Sequence, residues 1–188
     1  TSVLAIGNGT SASTPIAAGV AALVWNSRPF LSADQVEECL FNGCVDLGPV
    51  GEDPYWGWGR VDAYAAVAAA GVADIQANGL DGAVVVFRGT PLRIEVSLEP
   101  GIWTGVTGDW WMVASTASGW YHYLPSGWRS GAAVSQQGPL APLAPTAVWD
   151  GSGLPPGVYR FTFGVDLNPD GTPDPLRGIT DEVLVTIL

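Results

Sequence analysis

The periodicity of apolar residues changes near residue 75, and this change limits what the chain can fold into. Residues 1–74 read as a short strand, at 2–6, followed by helices. Residues 75–188 instead carry short segments with the two-residue alternation of β-strands, separated by turns rich in Gly, Asn, Asp and Pro. The sequence therefore predicts an α+β chain with two parts, 1–74 and 75–188.

The first predicted helix has no polar face. Thr14 is its predicted N-cap, and Pro15 occupies the first helical position, where a missing N–H costs little. Residues 16–25 contain no polar side chain and consist of large apolar residues together with Ala and Gly. A helix of this kind is normally buried on all sides. We therefore expect residues 16–25 to need a covering partner.

Two more helices and seven strands complete the predicted elements. The second helix follows the capping-box pair Ser32 and Gln35 and ends at Gly43, and the third covers about residues 61–70. The proline-rich residues 138–145 are predicted to form a loop. The predicted strands cover residues 83–88, 92–98, 110–115, 120–124, 146–149, 159–165 and 182–187. Short strands at this spacing indicate an Ig-like antiparallel β-sandwich.

The charge excludes several classes of partner. The chain has a net charge of −11, with seven Arg and no Lys. An acidic chain without basic clusters is repelled by nucleic acid and by anionic lipid, so neither is an expected partner. No apolar run reaches the roughly 18 residues needed for a membrane span.

Two cysteines, Cys39 and Cys44, lie five residues apart. They are too few for a structural zinc site, which normally takes four ligands. A local disulfide between them would stabilise the fold and would indicate an oxidising compartment. Two buried free thiols are the alternative.

Residues 8–15, Asn-Gly-Thr-Ser-Ala-Ser-Thr-Pro, place a serine on a turn just ahead of a helix. The N–H groups at a helix start can stabilise an oxyanion, and the helix dipole adds to the effect. With Gly9, Thr10, Ser11 and Pro15, the segment resembles the Gly-Thr-Ser-x-Ala/Ser-x-Pro nucleophile motif of subtilisin-like serine proteases (subtilases). The sedolisin peptidases share its Gly-Thr-Ser core.

The sequence that follows resembles subtilases from Ala18 through Val67, with landmarks such as Gly-Val-Ala-Ala-Leu at 19–23 and Tyr-Trp-Gly-Trp-Gly-Arg-Val-Asp-Ala at 55–63. The resemblance implies a secreted endopeptidase with Ser11 as nucleophile. Subtilases carry their triad in the order Asp, His, Ser, so the Asp and His would lie upstream of residue 1. A serine without its base is a poor nucleophile. We therefore expect this chain to be inactive by itself.

The same resemblance implies a partner for residues 16–25. In subtilases the nucleophile helix packs against a sheet built mostly from upstream sequence. Either that upstream part covers the helix, or copies of this chain cover one another and assemble, in the limit into a filament. The second case would make the chain an extracellular structural protein.

A second candidate site lies near the end of the chain. Oxygen donors at Asp166, Asn168, Asp170 and Asp174, with Gly at the sixth position, match the start of a Ca²⁺ loop. Arg177 stands where an EF-hand has Glu, so the segment is closer to the short loops of extracellular calcium modules. A hairpin turn stabilised by Asx side chains is the alternative.

The strand-rich part is also rich in aromatic residues, which supply either core packing or an exposed platform for glycans. The only histidine, His122, lies among them and is expected to be a strand residue without a catalytic role. This part loosely resembles accessory β-sandwich domains at the C-termini of secreted bacterial proteins. These aromatic residues include Trp103, Trp110, Trp111, Trp120, Tyr121, Tyr123, Trp128 and Trp149.

Overall fold

The computed structural model describes residues 9–174 and 177–188, so the predicted strand at 2–6 lies outside the described residues. The chain divides into two compact units, residues 1–70 and 71–188. The first is helical and the second is built of strands, which confirms the predicted α+β class. In the described part of the chain, no helix has both the length and the apolar character that a bilayer span requires.

The first unit contains three helices: α1 (Thr10–Ser27), α2 (Ala33–Asn42) and α3 (Ala63–Ala69). The capping box of α2 is confirmed, because Ser32 accepts from the Gln35 backbone N–H and the Gln35 side chain accepts from the Ser32 N–H. Gly43 follows as the C-cap. Asp62 caps α3 by accepting from the backbone N–H of Ala65 at 3.0 Å.

The predicted start of α1 is wrong, since the helix begins at Thr10 and not after Thr14. The Thr14 hydroxyl donates back to the Thr10 carbonyl at 2.8 Å, as threonines do inside a helix, and caps nothing. Gly9 is the N-cap, with φ +117°, a value that favours glycine. Pro15 therefore lies within the helix, where its missing N–H removes only the bond to the Ser11 carbonyl.

The second unit consists of two sheets. The strands are β1 (Val72–Ala77), β2 (Gly82–Val86), β3 (Leu92–Glu99), β4 (Thr107–Thr116), β5 (Gly119–Leu124), β6 (Gly127–Ser130), β7 (Gln136–Pro139), β8 (Leu143–Gly151), β9 (Gly157–Asp166) and β10 (Gly178–Ile187). One sheet has the order β1-β3-β8, and the other has the order β2-β10-β9-β4-β5-β6, with β7 on β4. Among the described residues only β2 and β10 pair in parallel, which departs from the fully antiparallel prediction.

A single apolar core joins the two sheets. Ile75 and Ile94 contribute to it from the three-stranded sheet, and Phe161 and Val183 contribute from the seven-stranded sheet. Alternate residues along β1 and β3 face this core, in the two-residue period of a strand. The second unit therefore has the two-layer form expected of a β-sandwich.

The proline-rich segment 138–145 is only partly the loop that was predicted. Residues up to Pro139 belong to β7, and β8 begins at Leu143. Proline has no backbone N–H, whereas a central strand uses its N–H groups to pair with the strands on both of its sides. The structure accommodates it because β7 pairs only with β4, and β8 lies at the edge of the three-stranded sheet.

Candidate functional site

Ser11 is exposed at the second position of α1. The first N–H groups of a helix have no partner within it, and the helix dipole makes this end positive. No acidic side chain lies in the first turn to neutralise that end. Ser11 is thus presented beside donors of the kind that an oxyanion hole uses.

The exposed face of α1 is apolar. Only Val20 and Val24 of this helix are buried. Ile16, Gly19 and Leu23, spaced three and four residues apart, face outward, and the exposed fractions of Ile16 and Leu23 are 60% and 53%. We call these three residues the apolar face of α1. The expectation that the helix needs a covering partner rests on this surface.

The Tyr-Trp-Gly-Trp-Gly-Arg landmark has a structural role. One carboxylate oxygen of buried Asp53 accepts from the backbone N–H groups of Tyr55, at 2.7 Å, and Trp56, at 2.9 Å. Val45 and Arg60 exchange two backbone hydrogen bonds, of 2.8 and 3.0 Å. Asp53 therefore shapes the turn of this landmark, and the sequence reasoning had assigned it no role.

The predicted disulfide is absent, because Cys39 and Cys44 are free thiols. Cys39 is fully buried on α2 one turn after Val36, whereas Cys44 follows the helix C-cap. Burial, with a smaller effect of Glu38, raises the pKa of Cys39 to about 11. Burial also raises the pKa of Cys44. The alternative of two thiols is the arrangement found.

The second candidate site contains a carboxylate that sequence reasoning missed. Asp109 on β4 lies directly opposite Asp166 on β9, and both are almost completely buried. Asp109 accepts from the Gly171 backbone N–H at 2.7 Å and from the Gln137 side-chain amide at 2.9 Å. No local motif pointed to Asp109, because its partners are distant in sequence.

The loop after β9 is held together by its own carboxylates. Asp166 accepts from the backbone N–H groups of Asn168, at 2.9 Å, and Asp174. Asp170 accepts from the Thr172 backbone N–H and from the Asn168 side-chain amide, both at 2.8 Å. Each oxygen of these two carboxylates thus already receives an N–H donor.

This donor set does not fit a calcium site. Calcium requires six to eight oxygen ligands aimed at one point. The oxygens of Asp166 and Asp170 are instead directed at N–H groups, and the described residues contain no group of three or more His, Cys, Asp or Glu that could hold a metal. The arrangement agrees with the alternative, a turn stabilised by Asx side chains.

His122 lies on β5, in the second unit. Its Nδ1 hydrogen-bonds the Gly131 carbonyl at 2.9 Å, a contact that holds the ring beside β6. The prediction that His122 is a strand residue agrees with this position.

Comparisons with known proteins find similarity to subtilases in the first part of the chain. Residues 1–59 match the sequence profile of the subtilase family. The chain is 42% identical over 55 residues to an extracellular serine protease of Serratia marcescens and 45% identical over 60 residues to the halolysin-like extracellular serine protease Nep of Natrialba magadii. It is 39% identical over 66 residues to a calcium-dependent protease of Trichormus variabilis.

These similarities cover about a third of this chain and a small part of each relative. The matches span 29%, 32% and 31% of the chain, and 5%, 11% and 10% of the three relatives, respectively. The matched region contains Ser11, the apolar face of α1 and the turn shaped by Asp53. Residues 1–59 are therefore similar to a part of a subtilase, and Ser11 lies within them.

Proposed function

We propose that the chain is the C-terminal part of a secreted subtilisin-like serine endopeptidase, with the second unit, residues 71–188, forming its accessory β-sandwich domain. The observation that carries this proposal is the exposed Ser11 at the start of α1, inside the region that matches the subtilase family. The relatives named as extracellular proteases support secretion.

In this proposal the Ser11 hydroxyl attacks the carbonyl carbon of a peptide bond. Its proton passes to a histidine, which returns a proton to the amine when the C–N bond breaks, and water then hydrolyses the acyl-enzyme. The Ser11 backbone N–H donates to the oxyanion. Residues 1–10 contain neither His nor Asp, so both would come from protein outside these 188 residues.

The same missing protein would cover the apolar face of α1. Leu23 and Ile16 are each more than half exposed, and burying a side chain of this type contributes roughly 1.5–3 kcal/mol. A partner that buries this face would stabilise the first unit and complete the triad at the same time. The proposal thus assigns two roles to one partner.

Self-assembly is the competing proposal, and the apolar face of α1 supports it as well. Copies of the chain would then bury Leu23 against one another, and the protease ancestry would be silent. The substitution Leu23→Glu, followed by measurement of the particle mass, tests the self-assembly proposal. Under self-assembly it converts a large particle to a 19.5 kDa chain in native mass spectrometry, whereas Ser11→Ala leaves the particle unchanged.

Calcium has no place in the proposed mechanism. Relatives named as calcium-dependent proteases suggest it, but their matches cover about a third of this chain. Each oxygen of Asp166 and Asp170 accepts an N–H hydrogen bond from the loop, and these bonds hold the loop together without a cation. We infer that the loop after β9 is stable in the absence of calcium.

Labelling with a fluorophosphonate tests the proposal. The reagent forms a covalent bond only with an activated serine, so we expect it to label Ser11 in the native secreted protein that contains this chain. Residues 1–188 alone should remain unlabelled and should not hydrolyse casein. Ser13→Ala is the matched control, because Ser13 is also exposed and lies two residues further along α1.

Ser11→Ala should abolish labelling of the native protein, and Ser13→Ala should preserve it. Absence of label in the native protein, or label that survives Ser11→Ala, contradicts the proposal.

A further inference from the structure

The second unit contains a cavity that the proposed protease chemistry does not use. It has a volume of about 280 Å³. Trp149 of β8 contributes from the three-stranded sheet, and β4, β5, β6 and β9 contribute from the seven-stranded sheet. Its lining residues are Ala114, Thr116, Ser118, Tyr121, Trp128, Trp149, Leu154, Pro155, Tyr159 and Phe161. We call this space the aromatic cavity.

The aromatic walls of the cavity are fixed by their contacts. Tyr159 stacks on Phe161 with an interplanar angle of 15°. Trp128 packs edge-on against Phe161, with the two ring centroids 5.8 Å apart. The Trp128 indole N–H donates to the Val148 carbonyl at 2.9 Å, and the Tyr159 hydroxyl donates to the Pro155 carbonyl at 2.8 Å. A ligand would meet rings that are already positioned, which reduces the entropy cost of binding.

Three hydroxyl groups line the cavity beside the rings. The Thr116 and Ser118 oxygens lie 2.8 Å apart, and the Ser118 oxygen lies 3.3 Å from that of Tyr121. Each hydroxyl can donate one hydrogen bond and accept two. When Thr116 donates to Ser118, the Tyr121 proton is left for a ligand. When Thr116 instead donates to the Gly119 carbonyl, 3.2 Å away, the chain runs the other way and leaves lone pairs on the Tyr121 oxygen. The cavity can therefore match both donors and acceptors.

The lining contains no charged side chain. Burial, with a smaller contribution from Tyr121, raises the pKa of Tyr159, so this phenol stays protonated at neutral pH. A charged ligand would lose hydration without gaining an ionic partner. The occupant that fits is therefore neutral, carries several hydroxyl groups and has an apolar face to place against aromatic rings.

The size of the cavity restricts the ligand further. Pockets for drug-sized molecules have volumes of roughly 300–1,000 Å³, so a space of about 280 Å³ suits one small ring and not a long peptide. Ser118 and Pro155 are exposed, so the cavity opens to solvent at their side. A ring of a longer chain could enter there while its neighbours remain outside.

We propose that the aromatic cavity binds a neutral carbohydrate, with one pyranose ring against Trp149 and Tyr159 and its hydroxyls at Ser118 and Tyr121. The second unit would then hold the protein at a polysaccharide surface. This site is independent of Ser11, so its failure leaves the protease proposal intact, and the reverse also holds.

Isothermal titration calorimetry of the 188-residue chain with cellotetraose, maltotetraose and chitotetraose tests the site. We expect at least one of them to bind with one site per chain. Tyr121→Phe and Ser118→Ala together remove two hydroxyls from partly or fully exposed side chains, and we expect them to weaken binding about tenfold while leaving the melting temperature nearly unchanged.

Trp120→Ala is the matched control. Trp120 is 52% exposed and lines a different cavity, of about 390 Å³, on the outer face of the seven-stranded sheet. We expect this variant to bind as the parent does. The proposal would be overturned if none of the three oligosaccharides bound, including the case in which the peptide decaproline, titrated in the same way, bound instead. It would also be overturned if Trp120→Ala lost binding while the hydroxyl variant retained it.

Discussion

The two units of this protein bury their apolar residues to very different degrees. Among the described residues, seven apolar side chains are buried in 1–70, whereas twenty form the core of 71–188. The first unit also exposes large apolar residues such as Ile16, Leu23 and Trp56. Apolar surface left in water contributes nothing to folding. From this difference we expect the second unit to fold by itself, and we propose that the first unit needs a partner to bury its apolar surface.

The largest expected effect on stability comes from comparing the same substitution, Ile to Ala, at one position in each unit. Ile75→Ala removes a fully buried side chain of the sandwich core and should destabilise the second unit by about 2–5 kcal/mol. Ile16→Ala trims the apolar face of α1, 60% exposed at that residue, and should change stability by less than about 0.5 kcal/mol. Urea denaturation measures both. Equal losses of stability in the two variants would contradict the difference in burial between the two units.

A smaller effect is expected at the helix caps, on which the first unit depends because its core is small. Ser32→Ala removes one partner of the capping box of α2 and should cost about 1 kcal/mol. Thermal unfolding followed by circular dichroism at 222 nm, which reports on helices, measures the change. Ser118→Ala, which changes an exposed hydroxyl in the second unit, is the matched control and should leave the signal unaltered.

The alkylation rates of Cys39 and Cys44 measure how often the first unit opens. Cys44 should react with iodoacetamide before Cys39, because Cys39 is fully buried and its pKa is raised to about 11. Ser32→Ala should speed the reaction of Cys39 by opening α2 more often. Mass spectrometry of timed samples follows both sites. Faster alkylation of Cys39 than of Cys44 would contradict the burial of α2.

A pH-dependent effect is expected in the second unit. Burial, with Asp81 and Asp181 nearby, raises the pKa of Asp74. A carboxyl with a raised pKa in the folded state favours folding most below its unfolded pKa, and this contribution is lost as pH rises through the folded value. Asp74→Asn should therefore be more stable than the parent at pH 7, with the difference vanishing at pH 3. A constant difference across this range would exclude the effect.

No effect at all is expected from calcium. Because N–H donors satisfy Asp166 and Asp170, adding calcium chloride or EDTA should leave the melting temperature of the chain unchanged. Differential scanning calorimetry measures this. A rise in melting temperature that saturates with calcium would show that the loop rearranges around the ion.

Sequence reasoning succeeded where the signal was local. The capping pair Ser32 and Gln35 fixes the start of α2, and the two-residue alternation of 92–98 marks β3. It failed at α1, because Thr14 and Pro15 carry the usual signature of a helix start but lie inside a longer helix. The signature describes preferences of single residues, whereas the helical backbone continues upstream of Thr14 as far as the N-cap Gly9.

Several features that sequence reasoning missed depend on distant partners. β1 buries Ala73 and Ala77, whose small side chains give a weak alternation, and it is held by pairing with β3. The parallel pairing of β2 with β10 joins segments about a hundred residues apart. Asp109 has a role only because β4 lies beside β9. None of these pairings is encoded within a short window of sequence.

Hydrogen exchange of the 188-residue chain, at high dilution to prevent assembly, tests most directly whether the first unit depends on a partner. The account predicts that backbone N–H groups of β9 and β10 exchange only through global unfolding, whereas those of α1 exchange orders of magnitude faster through local opening. Protection of α1 equal to that of β9 would show that the first unit is stable by itself, and would contradict the account.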